Sequence, residues 1–503
     1  MSSNQISKGE KHETDIVVIG GGGCGMAAAV AAAEKGAKVT LLEKKGAPGG
    51  NTVFGVGLFA AESPAQRRLS IDITKDDAFK MAMDYSHWKI NPRIFRAFVE
   101  KSGDTIRWLE EKGLKFTNIP HVFPSLNLRT WHTLEYKKAG PEVLKALRKN
   151  CEELGVQLLF HCSAKKILTN EKGEVAGVLA VLNKKEFRIT TKNVIIASGG
   201  YGGNKELLKK YYPSYSENMH YLGLRHLTGD GLLMAIEAGA ATEGLGALML
   251  HPHFFPGSSY VNAIAQEPLT VLVNKNGERF VDETISFNPT ECGNAVDRQP
   301  DKCVYALFDE KIKRTTMEEG TFKGSIEEAV GSYIAGTRAT TAGVRPTDAG
   351  TKLLNLDKKL QLEADKGGVK ISDSWDEIAG WMGVAPKVLK VTIEEYNSFC
   401  DHGYDKIFAK DRRYLQALRT PPYYAIRCYL CFLVTIGGIK INQHMEVLDH
   451  DGKPIPGLYA GGDSAGGWES DTYNIILSGS AFGFAVNSGR IAGENAATNV
   501  FAK

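Results

Sequence analysis

A chain of 503 residues, 43% hydrophobic and 24% charged, has the make-up of an ordinary globular protein and room for two or three domains. Its formal net charge of +3 gives no grounds for a nucleic-acid or anionic-membrane partner, and no apolar run reaches the roughly eighteen residues a membrane span needs. Eight scattered cysteines form neither a haem-attachment motif nor an iron–sulfur ladder, so no metal is expected.

Met1–His12 is polar and is expected to be disordered. It contains neither an apolar h-region nor a twin arginine, which leaves the cytoplasm as the expected compartment. From Asp15 to Gly20 a short β-branched run reads as a fully buried parallel strand. It runs into Gly20-Gly21-Gly22-Gly23-Cys24-Gly25, after which Met26–Lys35 is alanine-rich and helix-favouring until Gly36 stops it. Lys38–Glu43 is a second strand, so the whole is one βαβ unit.

Gly20, Gly22 and Gly25 satisfy G-x-G-x-x-G: a tight turn, a close backbone approach to a diphosphate, and close packing of helix on strand. The helix N-terminus offers N–H groups and a positive dipole end to the same diphosphate, and Glu43 stands where it can accept hydrogen bonds from an adenosine ribose. An acid there disfavours a 2′-phosphate.

Further along, Lys44 to Thr52 and then Gly57 form a small-residue loop suited to lie against a flat ring. Val194–Ala197 is another buried strand, ending in Ser198, Gly199 and Gly200. Thr228-Gly229-Asp230 opens a helix. Leu269–Val273 and Arg279–Val281 form a β-like patch, and Val384-Ala385-Pro386 punctuates two amphipathic helices between Trp375 and Phe399. Cys428 and Cys431 lie on an apolar strand and read as buried thiols rather than as a redox pair. Gly457–Asp463 repeats strand-then-glycine, and Leu477 to Ala481 opens the last helix.

These pieces in this order resemble the flavoprotein family of fumarate reductase, soluble fumarate-reducing flavocytochromes and 3-ketosteroid Δ1-dehydrogenases, from residue 14 to about residue 497. The resemblance implies an α/β fold: a Rossmann-like FAD-binding domain (GR2-type), residues 13–246 and 434–503, with an inserted α+β capping domain, residues 247–433. It implies FAD held by Gly20, Gly22, Gly23, Cys24 and Gly25, by Glu43 and Lys44, and by Gly50, Asn51, Thr52 and Gly57. Ala164 would lie near adenine. Ser198, Gly199, Gly200, Thr228 and Asp230 would also touch the cofactor, as would Gly462, and Asp463 would face the ribityl chain. Ser478 would touch the flavin, and Ser480 and Ala481 would present N–H groups to the pyrimidine end of the isoalloxazine. No histidine stands near Gly50–Val53 to tether the flavin, so FAD is expected to be non-covalent.

Such an enzyme moves a hydride between flavin N5 and one carbon of a C–C bond, and a proton on the neighbouring carbon. The resemblance keeps a substrate histidine, His251, but loses the cations that grip a dicarboxylate. Phe287 stands in the catalytic arginine's place, Leu433 in a histidine's, Ile476 in the carboxylate-binding arginine's, and Gln266 in the relay arginine's, with Ala263 in place of the relay glutamate. Burying a carboxylate among such groups costs several kcal/mol. The expected substrate is therefore an apolar carbonyl compound (a cyclic ketone, an enone or a steroid-like molecule), with an external electron donor or acceptor. The alternative is an enoate or dicarboxylate reductase of the fumarate reductase type with a rebuilt anion site, for which Lys138, Arg129 and Arg225 are candidate cations.

Tyr473 is the first candidate for handling the proton or the substrate carbonyl, followed by His251 and Tyr260; Tyr136, Tyr201 and Tyr429 also come near the expected cleft. His253 and His132 are further histidine candidates, and Glu267 reads better as a solvated surface acid than as a base. A flavin-carrying electron-transfer subunit and a monooxygenase are the remaining readings; no second G-x-G-x-x-G follows a strand to support the latter.

Overall fold

The computed structural model describes residues 12–119, 129–134, 138–322, 350 and 352–502. By their contacts they form two compact units, one of Met1–Pro213, Gly223–Met249 and Leu433–Lys503, the other of Ser214–Leu222 and Leu250–Phe432. Residues 214–222 were expected in the first unit. They group with the second because strand His220–Tyr221 pairs in parallel with Tyr423–Thr435, His220 opposite Cys431.

The first unit is built on a six-stranded sheet in the order Glu446–Leu448, Pro454–Ala460, Asn193–Ile196, Ile16–Ile19, Val39–Glu43, Gln157–Phe160. All pairings are parallel except that of Glu446–Leu448 with Pro454–Ala460. The central strands Ile16–Ile19 and Asn193–Ile196 are buried at every residue. That is why their sequences are unbroken rather than alternating runs.

Helix Gly23–Glu34 follows the first strand and is buried from Gly23 to Ala32. Its alanines make sense because helix Ser480–Phe501 lies directly on it. A Cβ added at Gly489 would meet Cys24 O at 2.2 Å, and one at Gly493 would meet Ala28 O at 2.3 Å. Two small-residue faces with a four-residue spacing thus let two backbones touch, which larger side chains forbid.

A second, four-stranded sheet joins Cys162–Thr169, Val175–Leu182, Lys185–Thr190 and His12–Glu13. His12, expected in the disordered leader, is instead paired with Ile189, its ring 5.3 Å from that of Phe187. Residues 1–11 lie outside the described residues.

The second unit centres on the long strand Tyr423–Thr435, paired antiparallel with Cys303–Asp309 and with Val369–Ser372. Val271–Asn274 forms the next strand. Arg279 contributes only an isolated bridge to Val273, so the β-like reading of residues 279–281 shrinks to one residue. Helices Trp375–Met382 and Pro386–His402 flank Gly383, whose φ of 75° ends the first, and Pro386 starts the second, as the punctuation implied. Cys428 and Cys431 are three apart on one strand and so point to opposite faces. Their thiols donate separately, to Ile426 O at 3.7 Å and Pro252 O at 3.2 Å.

Inside this unit an ionic cluster is sealed from water. Glu283 is bonded by Arg279 at 3.0 Å and by Lys410 at 2.9 Å, and Arg279 also reaches Asp405 at 2.9 Å. Among the described residues no helix is long and apolar enough to cross a membrane.

Candidate functional site

The glycine-rich turn does three different jobs. Gly20, at φ 110°, passes so close to the third parallel strand that a Cβ would sit 2.4 Å from Ala197 O. Gly25 packs under the turn, where a Cβ would lie 1.9 Å from Gly20 O. Gly22 is different: a Cβ there meets nothing nearer than Gly49 O at 3.7 Å, so its absence leaves open space above the backbone. The helix then begins with no side-chain cap, and the Gly23 N–H donates to Thr52 Oγ1 at 2.9 Å. Such a floor suits a diphosphate.

Glu43 ends its strand with its carboxylate held by the Gly21 and Lys45 N–H groups, each at 2.7 Å. A carboxylate has about four acceptor positions, so the remainder are left for a diol.

Ile19, Leu42, Ala197 and Gly461, at or just past the carboxyl ends of four parallel strands, line one cleft of ≈ 810 Å³ measured out to its open mouth. This is the ligand position that an open parallel sheet favours. Many residues singled out in the sequence converge there. Gly20, Gly22, Gly23 and Cys24 come from the turn, Glu43 and Lys44 from the second strand, and Gly50, Asn51 and Thr52 from the loop. Ala164, Ser198, Gly199, Asp230, Gly462 and Asp463 close the walls.

Others do not line it. Gly25 lies under the turn; Gly57 packs on His132 O and Gly200 on Thr435 Oγ1, with Cβ distances of 2.6 and 2.0 Å. The Thr228 hydroxyl donates to Asp230 at 2.7 Å and works by orienting that acid. Ser478, Ser480 and Ala481 also lie outside it. Sequence reasoning passed over Cys162, Ser163, His226, Leu227 and Met234, which carry no motif, and Gly461, which the Gly461-Gly462 pair could have flagged.

The cleft's polar groups are arranged for an uncharged and anionic guest in turn. Ser198 Oγ is buried with no hydrogen-bond partner among the described residues. Burial pushes the Asp463 carboxyl up to about 7, so near neutrality it can both donate to and accept from a polyhydroxyl chain. Asp230 stays below the usual carboxylate range: burial opposes this, but hydrogen bonds from Lys44, at 2.8 Å, and Thr228 outweigh it. Cys24 is a buried thiol raised to about 12, chiefly by desolvation, and is no nucleophile. An orphan hydroxyl, an open glycine floor and a carboxylate rim fit an adenine dinucleotide with a diphosphate bridge. No cluster of three metal-ligating side chains exists among the described residues.

Of the substrate-end candidates, Tyr473, Leu433 and Ile476 belong to the first unit, and His251, Tyr260, Gln266 and Phe287 to the second. Tyr473 is 2% exposed, and its oxygen accepts from Ser480 Oγ at 2.9 Å and from the Ala481 N–H at 3.1 Å. It therefore caps the last helix and uses the N–H group expected to face the isoalloxazine. The Leu433 carbonyl accepts from the Asn51 amide at 3.2 Å, and Ile476 is half-buried.

In the second unit, His251 is buried in strand Leu248–Phe254. Tyr260 has the Lys359 ammonium 2.8 Å from its ring centre, a packing contact. Gln266 donates to His253 O at 2.9 Å, and Phe287 lies 5.7 Å from the Tyr414 ring. Glu267, read as a surface acid, is instead buried and accepts from the Phe322 N–H at 2.8 Å. His253 is tied to Ala265 O at 2.7 Å, and Tyr429 packs 5.3 Å from His220.

His132 bonds Ser63 at 2.6 Å and Thr130 O at 2.9 Å, and burial drops its pKa to about 4. Tyr201 accepts from Gly246 N–H at 3.1 Å. These two are structural. Tyr136 lies outside the described residues.

The FAD binding domain family matches residues 15–474. The chain is 33% identical to the vinyl phenol reductase of Lactiplantibacillus plantarum over 504 aligned positions, covering 97% of both. It is similar to the open conformation of a flavocytochrome c3 fumarate reductase, with a TM-score of 0.72 and 26% identity over 98% of this chain and 79% of that one. The 3-ketosteroid-Δ4-(5α)-dehydrogenase of Rhodococcus jostii RHA1 shares the fold, with a TM-score of 0.71 and 22% identity over 97% and 98% of the two chains. The chain belongs to the FAD binding domain family and is a flavin-dependent oxidoreductase of the kind that acts on CH–CH groups.

Proposed function

We propose that this enzyme transfers a hydride between FAD, held without a covalent bond, and a carbon–carbon bond conjugated to a carbonyl or phenolic oxygen in an uncharged, apolar substrate. The observation that supports the reading is the chemistry at the four positions that the family resemblance sets opposite the cations and histidine of dicarboxylate-reducing relatives. Phe287 sits in an aromatic cluster with Tyr414, Gln266 spends its amide on a backbone carbonyl, and Leu433 and Ile476 are aliphatic. A carboxylate desolvated beside any one of these side chains without a counter-charge loses several kcal/mol. The similarity to a vinyl phenol reductase supports an apolar substrate, since that name describes an uncharged aromatic molecule whose double bond is conjugated with a phenol.

The surroundings of the candidate replacement cations favour this reading over a rebuilt anion site. Arg129 is bound to Ile119 O at 2.7 Å and Arg225 is exposed; Lys138 is half-buried, where burial lowers its pKa and disfavours its charge.

Bound FAD supplies the hydride acceptor or donor, and the chain's own part is to exclude water, hold the substrate and move one proton. Electrons come from or go to an outside carrier. Eight cysteines without a disulfide fit a reducing compartment, and we place the protein in the cytoplasm.

The test is anaerobic and optical. Dithionite-reduced holoprotein is mixed with 4-vinylphenol, with 4-androstene-3,17-dione and with fumarate, and the return of yellow absorbance is followed. Reoxidation by the vinylphenol or the enone and not by fumarate is expected. Rapid reoxidation by fumarate alone overturns the substrate assignment.

A further inference from the structure

An ion pair bridges the cofactor cleft. Lys44 directly follows the strand that ends at Glu43, and its ammonium donates to Asp230 Oδ2 at 2.8 Å and to the His226 carbonyl at 2.5 Å. All three residues line the cleft, although Lys44 and Asp230 stand 186 positions apart in the chain. Two separate stretches of the wall are thereby tied together: the end of a sheet strand, and the turn that opens helix Asp230–Glu237. Among the described residues no other ion pair has both its partners in the lining.

The far end of this bridge is itself anchored. Asp230 Oδ1 accepts from the Thr228 hydroxyl at 2.7 Å, and the Asn204 amide donates to the Thr228 carbonyl at 3.1 Å. Gly229, at φ 83°, turns the chain so that Asp230 begins the helix, where its charge meets the positive end of the dipole. The side chains of Lys44 and Asp230 keep 30% and 47% of their exposure, so the pair stands at the solvent edge of the cleft.

The signs of the two charges matter. Acting alone, Lys44 would attract a diphosphate and Asp230 would repel it. An acid is an unfavourable neighbour for an anionic guest unless its work is to hold Lys44.

We infer that Lys44 and Asp230 form a latch across the cofactor cleft, one that parts to let FAD in or out and so slows its release. This rests on FAD being the guest of the cleft. Both are positioning residues that act through each other, and a pair at the solvent edge weakens as salt screens it.

Release is followed by the rise of flavin fluorescence on dilution of the yellow holoprotein, at about 20 mM and about 500 mM sodium chloride. At the lower salt, Lys44→Met and Asp230→Asn should each release FAD about three- to tenfold faster than wild type. The double variant should be no faster than the quicker single one, and the gap to wild type should shrink at the higher salt. Slower release from Asp230→Asn, which repulsion between acid and diphosphate alone predicts, overturns the inference. So do release at the wild-type rate, effects that multiply in the double variant, or a gap indifferent to salt.

A second measurement needs no flavin. In flavin-free protein, deuterium exchange at the backbone amides of residues 226–230 should quicken in both single variants, because the turn has lost its tie to the strand end. Unchanged exchange in either variant overturns the latch. If the protein takes up no FAD, the proposed function fails and the exchange result alone judges the latch.

Discussion

At the scale of single residues, the glycines of one motif are not equivalent, and the difference can be measured. Gly25→Ala places a methyl 1.9 Å from the Gly20 carbonyl, a backbone atom that cannot swing away. We expect little folded, yellow protein from that variant. Gly22→Ala meets nothing closer than 3.7 Å in the protein and should fold normally. With the diphosphate above Gly22, as we propose, its methyl enters that space and FAD affinity should fall about tenfold or more, read by flavin fluorescence during titration of the apoprotein.

Asp463 gives a pH prediction. Its carboxyl titrates near 7 in the fold against about 3.9 in an unfolded chain, so between those values the folded form binds the extra proton. Stability from this group is complete below about pH 4, is lost as pH rises to 7, and then stays flat. In flavin-free protein, Asp463→Asn should remove that decline, so that its melting temperature gains on the wild type between pH 4 and 7. Parallel melting curves for the two proteins refute the assignment.

At the scale of elements, the sequence reported most boundaries because local physics sets them. The strands expected at residues 15, 38 and 194, the helix after the glycine turn and the stop at Gly36 all follow from propensity and left-handed backbone, and appear within a few residues of their expected places. What local reading missed was contact between elements. Helices Gly23–Glu34 and Ser480–Phe501 touch through Gly489 and Gly493, opposite Cys24 and Ala28. Gly493→Val should force them apart and destabilise the protein by about 1–3 kcal/mol, lowering its melting temperature by several degrees. Gly380, also helical but with nothing within 4 Å of an added Cβ, is the control, and Gly380→Ala should be neutral or slightly stabilising.

At the scale of the whole molecule, the chain divides its labour between two units, and stability and cofactor binding should separate accordingly. Glu283 holds Lys410 and Arg279 inside the second unit, with all three charges sealed from water. Glu283→Gln leaves Lys410 without its carboxylate partner, a change that typically costs about 3–5 kcal/mol. The cofactor cleft is lined by the first unit alone. Differential scanning calorimetry of Glu283→Gln should therefore show a lowered transition while the purified protein stays yellow. Loss of flavin in step with that transition contradicts the division.

The amino-acid order by itself determined the cofactor half of this protein, because a parallel strand, its glycine turn and the acid after the next strand are neighbours in sequence as well as in space. Glu43 could be placed from its position alone. It also fixed the chemistry of three positions expected at the substrate end, since Phe287, Leu433 and Ile476 cannot carry charge in any fold. Only tertiary structure decided what the polar residues there do. Tyr473 has its hydroxyl on the start of a helix, and Glu267 is buried rather than solvated. A side chain's titration and its hydrogen-bond partners depend on groups distant in sequence, and those meet only when the chain has folded.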